Sequence, residues 1–336
     1  MARGLDVGTC FLVCASKENN DASSSVKINS IRDAFFDIEA DASTLSMLKM
    51  SNVSYVPGDN DKVYIVGEPA LSIANLFKKE ARRPLSKGVI SAGELEAERM
   101  LIILLKSILG APAVEDELVY YSIPARPVDS DKDVLYHEAM FKKIIESLGY
   151  RATSMNEAAA IVYSNCAAEM FTALSSSFGA GMVNTSLVYQ TMVGMSFSIQ
   201  TSGDWIDQSA AAAVGTTATK IMSVKERGVD LLDPSIGDPK TIREREAIVV
   251  YYRNLIHRVI DTIKKEFQKD NSSIELPNGI PWVISGGTSK AIHFLEFFKQ
   301  EFAKVKDFPI NISEIRLSED QLNDVAKGLL IASMNE

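Results

Sequence analysis

Strand-like and helix-like patterns of apolar and polar residues alternate along this chain, which argues for an α/β fold. The opening "GLDVGTCFLVCAS" reads as two short apolar runs joined by a glycine turn at Gly8, a hairpin. Residues 18–26, "ENNDASSSV", are polar and predict a loop. From Ser91 to Leu109 the spacing is helical, with Leu95, Met100, Ile103 and Leu104 expected on the core face. "LVYYSIP" (Leu118 to Pro124) predicts a buried strand ended by proline. "VLYHEAMFKKIIESLGY" predicts an amphipathic helix with Gly149 just past its end, where a left-handed residue is favoured. The clearest helix begins at Thr241. Thr241 and Glu244 have the spacing of a capping box, and Ile248, Tyr252, Leu255, Val259, Ile263 and Phe267 form one stripe. "PWVISGGTS" predicts a buried strand running into a glycine turn, then a helix to about Val305. Ser318 with Gln321 is expected to open the last helix as Thr241 opens the long one.

Length changes this picture by adding a division: 336 residues, 46% of them hydrophobic, are enough for two lobes sharing one chain. Charge removes a class of partner, because a net −9 offers no basic face for direct nucleic-acid binding. "KKEARRPLSK" (Lys78 to Lys87) is the best candidate for a basic patch and reads as a solvated face. The cysteines Cys10 and Cys14, placed on one early strand, and the distant Cys166 form no disulfide framework or zinc spacing, which points to a reduced, cytoplasmic compartment. The N-terminal apolar run is broken by Asp6 and glycines and reads as a strand, not a signal peptide. No apolar stretch approaches the roughly 18 residues of a transmembrane segment.

Candidate chemistry gathers at three glycine turns, each beside a predicted strand: Asp6-Val7-Gly8-Thr9, Phe178-Gly179-Ala180-Gly181 and Ser285-Gly286-Gly287-Thr288. Glycine lets backbone N–H groups approach phosphate oxygens, and a helix beginning after Thr288 would add a partial positive charge. Neither the dinucleotide fingerprint nor the Walker loop fits, since spacing and lysine are missing. Asp129, Asp131 and Asp133 imitate a calcium loop, but Val134 and Met140 stand where glycine and glutamate are required, so helix capping is the better reading. His137, His257 and His293 all fall in predicted helices without metal spacing and read as surface or boundary residues. Cys10 reads as a small buried residue, or else a thiol near the phosphates.

The order of these segments resembles the actin, MreB and heat-shock chaperone superfamily of ATPases, most of all MreB-like bacterial or archaeal actins. "GLDVGT" resembles the first phosphate loop, "RRPLSKGVI" a stretch of MreB-like actins, and "MNEAAAIVYS" the first connecting helix. "SFGAGMVNTSLV" is similar to the second phosphate loop, and "SGDWID" to the entry into the upper second lobe. "ISGGTS" is similar to the adenosine loop, and "DVAKGLLIAS" to the second connecting helix.

The resemblance implies a two-lobed actin-like fold of duplicated ribonuclease-H-like domains with a nucleotide cleft between them. Residues 1–155 plus 316–336 would form the first lobe, with 33–75 as its small outer subdomain. Residues 156–315 would form the second, with 206–275 as its outer part. ATP or ADP with Mg2+ is the implied cofactor. Asp6 would hold the metal through water, and Gly8, Thr9 and Cys10 would line the phosphates, as would Ser177, Gly179, Ala180 and Gly181. Glu157 would orient the attacking water, its plainer alternative being a glutamate favoured at a helix N-terminus. Gly286, Gly287 and Thr288 would pack on adenosine, and Thr219, Lys220 and Met222 would flank base and ribose. Ser177 stands where the family has aspartate, and Met182 where it has threonine; Thr219 and Met222 replace a glutamate and a lysine. The implied function is a filament-forming cytoskeletal ATPase with slow hydrolysis and adaptor or cargo partners. The alternative is a non-hydrolysing scaffold that uses nucleotide only to set lobe orientation.

Overall fold

The computed structural model describes residues 2–17, 25–131, 134–269, 276–277 and 279–334. Most of the polar segment 18–26 therefore lies outside the described residues, as does Asp133. The chain begins with an antiparallel meander of β1 (Ala2–Val7), β2 (Phe11–Lys17) and β3 (Val26–Arg32). Gly8 makes the predicted turn, and Cys10 stands just before β2 with Cys14 inside it. A small outer sheet follows, built from β4 (Phe35–Glu39), β5 (Val56–Pro57) and β6 (Lys62–Val66) with α1 (Ala42–Met50) and α2 (Glu68–Leu76). The short hairpin β7 (Leu85–Ser86) and β8 (Val89–Ile90) leads to α3 (Ala97–Leu109). Next come β9 (Leu118–Ile123), α4 (Leu135–Ser147), β10 (Arg151–Asn156) and α5 (Glu157–Asn165).

The second half repeats this plan. β11 (Ala173–Phe178), β12 (Val183–Tyr189) and β13 (Met192–Ile199) form another meander. Three helices follow, α6 (Gly203–Val214), α7 (Ala218–Glu226) and the long α8 (Ile242–Lys269). Then come β14 (Ile280–Ser285), α9 (Phe294–Phe302), β15 (Ile312–Leu317) and α10 (Asp324–Ser333). The sheet orders are β10-β9-β1-β2-β3 and β13-β12-β11-β14-β15, so each meander gains two parallel strands beside its first member. One topology occurs twice. Among the described residues no helix is long and apolar enough to cross a membrane.

Each sheet has its own core. Leu5, Leu12, Leu101, Leu104, Phe141 and Ile144 close the first, while Trp282, Phe178, Phe294, Phe298 and the stripe of α8 close the second. Between them α5 crosses α10, and small residues let the helices touch: a Cβ on Gly328 would lie 1.8 Å from the Ala160 carbonyl oxygen. Gly4 on β1 plays the same part below, where a Cβ would meet the Ala326 carbonyl oxygen at 2.1 Å.

Several local expectations are corrected by longer-range contacts. Leu95 is 96% exposed, because Arg82 holds Glu94 (Nε to Oε2, 2.8 Å) in a turn that delays α3 until Ala97. The Thr241–Glu244 capping box does not form. A 3-10 turn at Pro239–Thr241, capped by Asp238, precedes α8, and Glu244 instead meets Lys220 at 2.6 Å. No helix starts directly after Thr288 either: a 3-10 turn spans Gly287–Lys290, and the pairing of Asp230 with Ile292 interrupts the path before α9. The last helix opens at Asp324, since Gln321 offers its carbonyl to the Gly286 N–H at 3.0 Å. Asp129 does not cap α4 but accepts from Gln200 N and Arg258. In the basic segment, Arg82 is taken up by Asp37 and Glu94, and Arg83 by Asp204.

His137 also departs from expectation, being 1% exposed against the Phe141 ring. Burial pushes its pKa down from 6.5 to about 4, so the native state holds it neutral. Between those values the unfolded chain binds the extra proton. Stability from this group is complete above pH 6.5 and drains away as pH falls toward 4, by roughly 3 kcal/mol. His137→Leu should therefore flatten the fall of the melting temperature over that interval; an unchanged pH profile would show that the ring is not buried neutral.

Candidate functional site

The first two glycine turns occupy equivalent places in the repeated topology, each closing the first hairpin of its sheet. The Gly8 N–H donates to the Phe11 carbonyl at 3.0 Å and the Gly179 N–H to the Met182 carbonyl at 3.1 Å. The third turn follows β14, which lies beside β11. Gly286 has φ +93°, and a Cβ there would stand 2.4 Å from the Phe178 carbonyl oxygen, so only glycine fits both backbone and space. The Gly179 carbonyl accepts from Ser202 Oγ at 2.5 Å and Thr288 Oγ1 at 2.8 Å, fastening the second turn to the third and to the start of α6. The first turn meets the second over Thr9, whose Oγ1 accepts from the Gly88 N–H at 3.1 Å and would be 2.4 Å from a Cβ on Gly181.

All three turns line one cavity of about 480 Å³ between the two sheets. Asp6, Gly8, Thr9 and Cys10 enter from one side; Ser177, Gly179, Ala180, Gly181 and Met182 from the other; Gly286, Gly287 and Thr288 close an end. A larger cavity of about 670 Å³ lies further out, lined by Arg83, Glu68, Asp204 and Thr219 among others. The inner one is the better candidate, because there backbone amides and buried carboxylates converge.

Two carboxylates dominate its floor. Asp6 accepts from Ser122 Oγ at 2.9 Å, and that hydroxyl accepts from the Val7 N–H at 2.7 Å. Glu157, first residue of α5, accepts from Asn184 Nδ2 at 2.7 Å and is also hydrogen-bonded by Ser177. Burial raises the pKa of both, and the Asp6 charge raises Glu157 further. The pair is thus short of positive charge. Asn156 sets the start of α5, its side chain accepting from the Ala159 N–H at 3.0 Å. An aspartate at position 177 would add a third carboxylate here; serine instead supplies a hydrogen-bond donor.

The helix proposed to flank base and ribose divides its residues. Met222 lines the inner cavity, Thr219 reaches only the outer one, and Lys220 lines neither, drawn off to Glu244 on α8. Lys225 and Glu226, one turn beyond Met222, do line it, as do Arg32, Tyr252 and Gln321. The i, i+3, i+4 spacing from Met222 would have found Lys225 and Glu226. Nothing local marks Arg32 or Tyr252. Lys225 donates to Asp207 at 2.7 Å and to the Gly203 carbonyl at 3.0 Å, while the Tyr252 hydroxyl donates to the Thr288 carbonyl at 3.0 Å.

Comparison with known families settles the chain's kinship. The family model described as Volactin matches residues 1–333. The chain belongs to the Volactin family. No curated protein matches it in sequence. Among solved structures it is similar to the MamK double helical filament, at 16% identity and TM-score 0.69 over 99% of this chain and 98% of that one. It is also similar to MreB 5 of Spiroplasma citri bound to AMPPNP, at 15% identity and TM-score 0.68 over 97% and 93%. A third likeness is to ethanolamine utilization protein EutJ from Carboxydothermus hydrogenoformans, at 14% identity and TM-score 0.53 over 98% and 89%. The chain thus has the two-lobed actin/MreB-like fold.

Proposed function

We propose that this chain is an actin-like nucleotide-binding protein that assembles into filaments and hydrolyses ATP slowly. The observation that carries the reading is the convergence of the turns at Gly8, Gly179 and Gly286 on one cavity whose floor holds Asp6 and Glu157. The Gly8, Gly179 and Gly286 N–H groups are bonded to the carbonyls of Phe11, Met182 and Gln321, so the amides that follow them in those turns would be the ones to meet phosphate oxygens. The uncompensated carboxylate pair suits a hard cation, and one carboxylate is what Mg2+ takes when phosphates and waters supply the rest. Asp6 would hold that ion through water, and the ion would neutralise charge on the polyphosphate. Glu157, fixed by Asn184 and Ser177, would orient the attacking water. Met222, Tyr252 and the Gly286–Thr288 turn would shape the nucleoside end.

The lobes would comprise residues 1–155 plus 316–336 and residues 156–315, with 33–75 and 206–275 as outer parts. Closing them on a nucleotide would fix subunit geometry, and a head-to-tail contact between copies propagates as an open filament. The relative that appears as a double helical filament supports assembly, and the AMPPNP-bound relative supports the ligand. Adaptor or cargo proteins in a cytoplasmic setting would be its partners. A second reading, a scaffold that binds nucleotide without turnover, is favoured by Ser177 and by Met182, which fills the space against Gly88 where the family has a threonine. Sedimentation with and without Mg-ATP, with phosphate release measured in parallel, separates them. Nucleotide-dependent pelleting with release is expected; pelleting without release would favour the scaffold, and no pelleting in any nucleotide would end the filament reading.

A further inference from the structure

Arg32 is a cation held only by long ionic contacts, and it lines both cavities. It ends β3 opposite Phe11 of β2, and its guanidinium lies 4.8 Å over that ring. Nη1 stands 3.1 Å from Cys10 Sγ, so the side chain is aimed at the tip of the first glycine turn. The residue is only 8% exposed and lines both cavities. Its ionic contacts are long: 3.4 Å to Glu226 on α7 and 3.4 Å to Glu68, both solvated carboxylates. Two neighbouring cations, Arg83 and Lys225, are better held. Arg83 reaches Asp204 at 3.0 Å, and Lys225 reaches Asp207 at 2.7 Å.

The same inner cavity is lined by the carboxylates of Asp6, Glu157, Asp204, Asp207, Glu226 and Glu68. A triphosphate entering it needs more positive charge than a single divalent ion brings. A planar guanidinium is suited to chelate a phosphate through two N–H bonds, and its present contacts are weak enough to exchange.

Resting on the nucleotide reading above, we propose that Arg32 senses the terminal phosphate: with a nucleoside triphosphate bound it leaves Glu226 for the third phosphate, and with a diphosphate it keeps Glu226. Because β3 and α7 stand on opposite sides of the cleft, the exchange links the number of phosphates to a bond between the halves. Arg83–Asp204, the neighbouring bond across the cleft, is independent of it.

The test is the affinity of the full chain for ATP and for ADP, each with Mg2+, in the wild type, Arg32→Gln, Arg32→Lys and Glu226→Gln. Arg32→Gln should weaken ATP on the order of ten- to a hundredfold and leave ADP unchanged. Arg32→Lys should recover part of the ATP affinity, and Glu226→Gln, which releases the guanidinium, should tighten ATP without affecting ADP. A structural bridge alone would move both nucleotides together, so equal losses in Arg32→Gln, or no loss, overturn the assignment. So does weaker ATP binding by Glu226→Gln. Melting curves identify any variant that has not folded, and the conservative Arg32→Lys carries the comparison then. If the wild type binds neither nucleotide, the nucleotide reading itself falls, and the role of Arg32 with it.

Discussion

Glu157→Gln is expected to slow phosphate release by a factor on the order of 10² to 10⁴ while ATP-dependent sedimentation persists. The substitution keeps the length of the side chain and an oxygen that can still accept from Asn184 Nδ2, now 2.7 Å from Oε2. It removes the charge that would align and polarise a water. Affinity should change little, since the three glycine turns that line the cavity are untouched. The pKa of Glu157 is raised to about 8, with burial as its first cause and Asp6 as its second, so glutamine resembles the protonated acid that the nucleotide-free cleft holds near neutral pH. The variant should consequently melt no lower than the wild type. Single-turnover phosphate release beside a pelleting assay decides the matter. Release at the wild-type rate would remove Glu157 from the chemistry, and loss of pelleting in a folded variant would recast it as a structural residue.

A second large effect is expected about one helical turn behind the cleft lining of Glu157 and Val325, where α5 crosses α10. Gly328→Ala should cost more than about 3 kcal/mol, the upper range for overpacking, because the new methyl would collide with backbone and no side chain can turn aside. The Cβ would sit 1.8 Å from the Ala160 carbonyl oxygen and 2.6 Å from its carbon. Accommodating it means prising the two connecting helices apart, and α5 carries Glu157 at its start. Thermal unfolding should fall by several degrees, and any folded fraction should show impaired turnover as well. Gly93→Ala is the matched control: a Cβ there meets nothing within 4 Å, and the change should stay within about 0.5 kcal/mol. Equal melting temperatures for the two variants would refute the close-crossing account.

Much of the architecture was legible because it is written in neighbouring residues. The strand "LVYYSIP" became β9, and the stripe through Ile248, Tyr252, Leu255, Val259 and Ile263 is the buried face of α8. Gly149 takes φ +89° just past α4. The resemblance to actin-like proteins, carried by seven short segments in order, led to the fold that the structural likenesses show. Helix starts were less legible. Thr241 and Ser318 had the right spacing for capping, yet Lys220 claimed Glu244 and the Gly286 amide claimed the Gln321 carbonyl.

The cleft divides in the same way. The sequence by itself determined which bends lack side chains, since glycine beside a strand is a local property of backbone sterics and hydrophobic period. It also put Asp6 in the first of those bends and, through the resemblance, Glu157 on the first connecting helix. Only the tertiary structure decided that Lys220 turns away, that Lys225 and Glu226 face inward, and that Arg32 reaches Cys10 from a neighbouring strand. The physical reason is range. Periodicity and turn chemistry act over about four residues, whereas an ion pair such as Arg32 with Glu226 joins positions 194 residues apart and exists only once the two halves have packed.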